Sequence, residues 1–323
     1  MRVVGACGGI NAEGNAMVAL VVVPAVAVLG LVGFWLTGER GHLLLPSTRH
    51  ALRERRDGRP GTGARAGLVT ALHGYIYGRW TEQYIRVFRS VLPWMTPTMK
   101  RRWADGYHGK IVPTEHACAI VRLDHDITRT DLEHVIPYPR ARDILLKGPL
   151  SVTLLECPCR LGKPDHCEPT QVCMLVGGGD FALDHHPAKA RRVTQAEALQ
   201  VLHDEHARGH VHTAYFKDAV DNRFYAICNC CSCCCGGLEA MRFGVPMVAS
   251  SGFVAEVDEG ACIGCGDCET ACPFGAVHVP YRAEVSWDDC MGCGVCEGPC
   301  STGAIQLVRD ERKGVPLDVR SLA

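Results

Sequence analysis

The chain has almost no net charge: 34 Lys and Arg stand against 35 Asp and Glu over 323 residues. That balance hides a basic excess over residues 40–110 and an acidic excess over 253–310. The basic stretch has no nucleic-acid-binding motif, so nucleic acid is not an expected partner. Nor is there an H-E-x-x-H zinc motif: the run reads His203-Asp204-Glu205-His206. His203, His206, His210 and His212 are therefore expected to be solvated residues at and after a helix rather than metal ligands. Gly177-Gly178-Gly179-Asp180 lacks both G-x-G-x-x-G and a following Lys-Ser/Thr. It reads as a loop, not a phosphate cradle. Cysteine, by contrast, is abundant, with twenty in the chain.

Eight of these cysteines follow one pattern. Cys262, Cys265, Cys268 and Cys272 are spaced C-x2-C-x2-C-x3-C, and Cys290, Cys293, Cys296 and Cys300 repeat it. Flanking residues repeat too, Ala255-Glu256-Val257 with Ala283-Glu284-Val285 and Gly275-Ala276-Val277 with Gly303-Ala304-Ile305, at an offset of 28 residues. Such self-similarity predicts two copies of one unit: strand, cysteine loop, helical turn, strand. Gly264, Gly266, Gly292 and Gly294 lie between the cysteines. Glycine tolerates the positive φ of tight turns and keeps side chains off a bound group. Structural zinc also uses C-x2-C pairs, but it leaves the regular third and fourth cysteines without a purpose. Disulfide geometry suits such tight loops poorly.

This repeat resembles the bacterial-type dicluster ferredoxin family over about residues 253–309. The resemblance implies two [4Fe–4S] clusters. In that family the fourth cysteine of each run serves the other cluster. One cluster would then take Cys262, Cys265, Cys268 and Cys300, and the other Cys290, Cys293, Cys296 and Cys272. The sequence departs once: the first run ends Cys272-Pro273, whereas the second ends Cys300-Ser301 with Pro299 before it. That proline ligates nothing, so both clusters remain expected.

Upstream, a buried strand expected over Ser151–Leu155 runs into Glu156-Cys157-Pro158-Cys159-Arg160, with Cys167 and Cys173 following. A second strand-like run, Phe224–Ile227, leads into Cys228, Cys230, Cys231, Cys233, Cys234 and Cys235. Ten thiols in two packets exceed what packing needs, and dense thiolates select iron–sulfur clusters, zinc or copper(I). Cys157, Cys159, Cys167 and Cys173 could form one ligand set and Cys228–Cys235 another, or the packets could converge. One or two further iron–sulfur clusters, or zinc, are expected here. The pairing of these two elements ahead of the ferredoxin repeat resembles an uncharacterised group of cysteine-rich ferredoxin-domain proteins of anaerobic bacteria, over about residues 135–310. That resemblance implies iron–sulfur binding without a defined reaction. Cys7 and Cys118 are isolated and expected to have no role.

Met17–Leu36 is uncharged and almost wholly apolar. About twenty residues at ~1.5 Å each span the ~30 Å of a bilayer core. A single transmembrane helix over residues 17–36 is therefore expected. Arg40, Arg49, Arg53, Arg55, Arg56 and Arg59 follow it and only Arg2 precedes it, which predicts a cytoplasmic location for the rest. Gly67–Leu92 reads as mostly helical, with an apolar stripe of Trp80, Tyr84, Val87, Phe88 and Val91. Asp131–Leu146 reads as a further short helical stretch. Thr194-Gln195-Ala196-Glu197 is a capping box opening a helix that stops near Gly209.

The expected fold class is α+β. Residues 1–60 would form the membrane helix and a basic flank, 61–150 a mainly helical connection, 151–252 a cysteine-rich domain, and 253–323 a pseudo-twofold ferredoxin domain. The expected function is membrane-tethered electron transfer between redox donor and acceptor proteins, by a carrier or oxidoreductase subunit. A redox enzyme with a catalytic upstream site, and a zinc scaffold bearing a ferredoxin, are the alternatives.

Overall fold

The computed structural model describes residues 12–56, 64–129, 132–138, 144–220 and 222–322. The chain divides into two compact units, Met1–Ala51 and Leu52–Ala323.

The first unit contains the helix α1 (Ala12–Leu43) and the beginning of α2 (Pro46–Arg56). Among the described residues no helix is long and apolar enough to cross a membrane. This corrects the expected membrane helix over residues 17–36 and, with it, the single-pass location. The side chains of residues 17–27 lie outside those described. The end of α1 carries Glu39, Arg40 and His42, polar and charged side chains that a bilayer core disfavours. Thr48 Oγ1 donates to His42 O at 3.1 Å, holding the turn between the two helices.

The second unit continues with α3 (Ala64–Arg79), α4 (Thr81–Val91), α5 (Pro97–Gly106), β1 (Tyr107–Ile111), α6 (Thr114–Val121), β2 (Ile127–Arg129), β3 (Ile144–Leu146) and β4 (Val152–Glu156). Next come α7 (Pro158–Leu161), β5 (Gln171–Val176), α8 (Asp180–His185), β6 (Ala190–Val193), α9 (Gln195–Ala207), β7 (Val211–Lys217), β8 (Arg223–Cys230), α10 (Gly236–Arg242) and β9 (Val248–Ala249). The last elements are β10 (Phe253–Val257), α11 (Asp267–Ala271), β11 (Val277–His278), β12 (Glu284–Val285) and β13 (Ile305–Arg309). The architecture is α+β.

Seven strands form one sheet in the order β6-β4-β5-β8-β7-β1-β9, antiparallel throughout except for the β1–β9 pair. The alternation of a strand sends successive side chains to opposite faces. On β7, Ala214 and Phe216 enter one core with Leu154, Met174, Ile227, Ala198 and Leu202. Val211 and Tyr215 enter the other, with Phe88, Leu92, Cys230, Cys235 and Leu238. The helix α9 covers the first face. Its Thr194 cap accepts from Glu197 N at 3.2 Å, and Gly209 (φ 80°) follows its end.

Two sequence expectations are revised here. The buried side of α4 is Ile85 and Phe88, continued by Leu92 just past its end, while Val87 is exposed. Residues 144–146, expected to be helical, form β3 against β2, with Ile144 and Leu146 buried.

In the C-terminal part, β10 pairs with β13 and β11 with β12, both antiparallel. Each half therefore contributes its first strand to one hairpin partner from the other half. Ser251 Oγ donates to Gly292 O at 2.6 Å and Ser250 Oγ to Met291 O at 3.3 Å, tying the second cysteine loop to the segment after β9.

Candidate metal centres

Two small cavities of about 20 Å³ each lie in the C-terminal part. Cys262, Cys265, Cys268 and Cys300 line one; Cys290, Cys293, Cys296 and Cys272 line the other. Each cavity thus takes three cysteines from one loop and the fourth from beyond the other. The crossed strand pairing brings this about, because β13 returns beside β10 and carries Cys300 to the first loop.

Backbone donors surround the sulfurs in matching positions. Ala283 N–H points to Cys262 Sγ at 3.4 Å and Ala255 N–H to Cys290 Sγ at 3.5 Å. Ala276 N–H meets Cys272 Sγ and Ala304 N–H meets Cys300 Sγ, each at 3.2 Å. Such bonds stabilise negative sulfur and raise the reduction potential of a bound cluster. The two cavities differ in burial. Burial pushes the Cys293 thiol up to about 12. Burial also acts to raise Cys300, but the Thr302 hydroxyl and the N–H groups of Ala304, Ile305 and Thr302 outweigh it and bring the thiol down. Cys265 is exposed, with Ile263 and Tyr281 exposed near it.

The ten upstream cysteines fall into two groups. Strand alternation sends Cys228 and Cys230 to the face beneath α4 and α10, where Cys173 of β5 approaches Cys228 with sulfurs 3.9 Å apart. Cys157 neighbours Cys173 and Cys159, and Cys235 neighbours Cys230. Gly236 lies beside Cys159: a Cβ there would sit 3.5 Å from its sulfur, an ordinary contact. Cys157, Cys159, Cys173, Cys228, Cys230 and Cys235 therefore gather in one interior cluster, the thiol chamber beneath the sheet.

Tyr215 Oη lies 4.0 Å from Cys235 Sγ, and Tyr77 and Tyr225 hydroxyls are 2.6 Å apart behind it. Lys217, almost fully buried, lies over the rings of Tyr77 and Tyr107 at 5.5 and 5.2 Å and pairs with Asp218 at 2.5 Å. The Cys230 thiol, then the Leu238 and Gly237 N–H groups and the Tyr215 hydroxyl, outweigh burial and bring Cys235 down to about 6. Its neighbour Cys230 is pushed well up, by Cys235 first and by burial next.

The second group is Cys167, Cys231, Cys233 and Cys234, whose sulfurs all lie within 4.8 Å of one another. Cys231 and Cys234 are buried, Cys167 half-buried and Cys233 exposed. Two cations hold the carbonyls of this turn: Lys163 Nζ donates to Cys233 O at 2.7 Å, and Arg89 donates to Cys234 O.

Sequence reasoning missed the polar hub beside these thiols. Arg160, the residue after Cys159, is completely buried and donates to Glu205 Oε2 at 2.7 Å and Asn229 O at 3.2 Å. His210 Nδ1 donates to the same Glu205 oxygen at 2.7 Å, and His212 Nδ1 to Asn229 Oδ1 at 2.6 Å. The expectation of solvated histidines holds only for the exposed His203. His206 is half-buried and His210 and His212 are buried, because the chain turns at Gly209 into the central strand β7. The one available signal was the strand-like run after Gly209, which places His210 and His212 at the sheet. Cys118 is buried, 3.8 Å from His203 Nε2, and Cys7 lies outside the described residues.

Residues 254–277 match the family model of a 4Fe-4S binding domain. The match covers the first cysteine run and supports a ferredoxin-type iron–sulfur domain with at least one cluster. No curated protein and no solved structure matched the chain.

Proposed function

We propose that this chain is an electron-transfer protein with two [4Fe–4S] clusters in its C-terminal part and a further thiolate centre in the chamber beneath the sheet. The observation that carries the reading is the crossed arrangement of eight cysteines around two cavities, three from one loop and one from the other at each. Cys262, Cys265, Cys268 and Cys300 would hold one cluster, and Cys290, Cys293, Cys296 and Cys272 the other. When bound, each cluster supplies a one-electron redox centre. The chain's residues donate hydrogen bonds to the ligating sulfurs and exclude water from the second site.

The path has a direction. Cys265 and the exposed Ile263 and Tyr281 give the first cluster an outward face, suited to an apolar patch on a redox partner. The acidic charge of this part suits a basic one. Cys293, Met291 and Phe274 of the second site pack into the same core as Cys230 and Cys235. Electrons would enter at the first cluster and pass through the second to the chamber.

A second reading has its own observation. The chamber holds six thiols, two more than a cubane takes, beside the buried Tyr215, Tyr77 and Lys217 and the half-buried Tyr225. Surplus thiols and proton-bearing groups favour chemistry at this centre, which would make the chain a redox enzyme or a subunit of one.

Anaerobic purification followed by iron and acid-labile sulfide analysis tests the main reading. At least about eight irons per chain, with equal sulfide, are expected from two cubanes. Cys262→Ser and Cys290→Ser should each remove about four. Colourless protein without sulfide would overturn the proposal.

A further inference from the structure

The four gathered thiols have a spacing that decides what they can bind. Cys167 Sγ lies 3.2 Å from Cys231 Sγ, 3.8 Å from Cys234 Sγ and 3.6 Å from Cys233 Sγ. Cys233 and Cys234 sulfurs are 3.5 Å apart. Four thiolates arranged tetrahedrally about one ion at about 2.3 Å have edges of about 3.8 Å. A disulfide needs about 2.05 Å. A cubane needs a wider set, because each of its four thiolates bonds a different iron. The molecule supplies its own gauge: among the described residues, no three of the eight ferredoxin cysteines, and no three of the six chamber cysteines, are gathered this closely.

We infer that Cys167, Cys231, Cys233 and Cys234 form a closed site for one tetrahedral thiophilic ion, zinc or a single iron without sulfide, separate from every cluster. Four protein thiolates leave no open coordination position, which is the mark of a structural rather than a catalytic site. Its place in the chain fits that role. Cys167 follows α7, whereas the other three lie in the turn between β8 and α10, 64 to 67 residues away for Cys231 and Cys234.

The turn alternates between the two sites. Cys230 and Cys235 face the chamber, while Cys231, Cys233 and Cys234 turn to the other side, toward Cys167. An ion here fastens the loop carrying Cys167 across this turn and so holds Cys230 and Cys235 in register with Cys157, Cys159 and Cys173. Four thiolates on a divalent ion leave two negative charges. Lys163 and Arg89 sit on the carbonyls of Cys233 and Cys234 and share Glu239, and the buried Arg160, paired with Glu205, interacts with Cys167 and Cys231, so cationic groups border the site.

The test uses the full-length chain purified anaerobically, with zinc, iron and acid-labile sulfide measured on one sample. One ion per chain beyond the iron matched by sulfide is expected, zinc or iron. Cys233→Ser alters the exposed ligand, so it is the variant least disruptive to folding. It should lower that extra ion by about one equivalent, or weaken its retention against a chelator by at least tenfold, with sulfide unchanged. As a measurement independent of any variant, cobalt(II) supplied during expression should give the visible absorption of a tetrahedral tetrathiolate site.

Iron equal to sulfide with no zinc would overturn the inference. So would a Cys233→Ser variant that loses iron and sulfide together in fours, because these cysteines would then be cluster ligands. The inference builds on the proposed function but fails separately: an extra ion in protein devoid of sulfide keeps this site and sinks the electron-transfer reading.

Discussion

Replacing Gly264 with alanine is expected to remove the first cluster and spare the second. Gly264 has φ 68°, and a Cβ placed there would sit 2.1 Å from the Tyr281 carbonyl oxygen. That is more than an ångström short of the 3.4 Å at which ordinary contact begins, and backbone must move to relieve it. Tyr281 lies two residues before Ala283, whose N–H points to Cys262 Sγ. A shift there withdraws a sulfur hydrogen bond and displaces the loop that carries Cys262 and Cys265. Gly292 repeats the geometry at the other site: φ is 64°, a Cβ would lie 2.2 Å from Phe253 O, and Ala255 two residues on faces Cys290 Sγ.

Gly266 is the control. It has φ 86° but nothing within 4 Å of a Cβ. Alanine at 264, 292 or 266 costs about 1–2 kcal/mol for the left-handed backbone. Only the first two add a collision with a carbonyl. Iron and sulfide analysis on anaerobic protein reads the outcome. Gly264→Ala and Gly292→Ala should each lose about four irons, from different clusters distinguishable by EPR. Gly266→Ala should keep its full complement. If Gly264→Ala retains all its iron, or Gly266→Ala loses as much, the account of these loops is wrong.

Two further outcomes follow from the buried hub. Arg160→Met should destabilise the chain by about 3 kcal/mol in urea unfolding, because the buried Glu205 carboxylate loses its buried cation and keeps only His210 and the exposed Arg208. Adding Glu205→Gln should recover much of that loss, and an additive double variant would show that the pair is not coupled. Burial, only partly opposed by the Asn229 hydrogen bond, brings His212 from an ordinary 6.5 down to about 4. The unfolded chain therefore takes up this proton first, so the stability from neutral His212 is present above about pH 6.5 and is lost as pH falls from there toward 4. The loss is on the order of 3 kcal/mol. Unfolding midpoints of wild type and His212→Gln should converge as pH drops from about 7 to about 5, and parallel curves would refute this assignment.

The cysteine repeat was legible because its signal is local: the C-x2-C-x2-C-x3-C spacing places three thiols on one tight loop, and the pattern recurs 28 residues on. The strand into Cys157, the strand into Cys228 and the Thr194 cap were legible for the same reason, since their signals lie within a few residues. Other features depended on distant neighbours. The apolar stretch over residues 17–36 has a bilayer-like composition, yet no helix among the described residues is long and apolar enough to cross a membrane. His210 and His212 carry no hydrophobic signal, and only the pairing of β7 within the sheet takes them from water.

The upstream cysteines make the division plainest. Chain order groups Cys157, Cys159, Cys167 and Cys173 against Cys228–Cys235. Space regroups them, joining Cys167 to Cys231, Cys233 and Cys234 and leaving the other six around the chamber. Sequence alone determined that this protein concentrates soft thiols and repeats one cysteine-loop pattern, because those choices reside in residue type and short spacing. Which thiols share a centre was decided only in the folded chain, where strand alternation and a turn send adjacent cysteines to opposite sides.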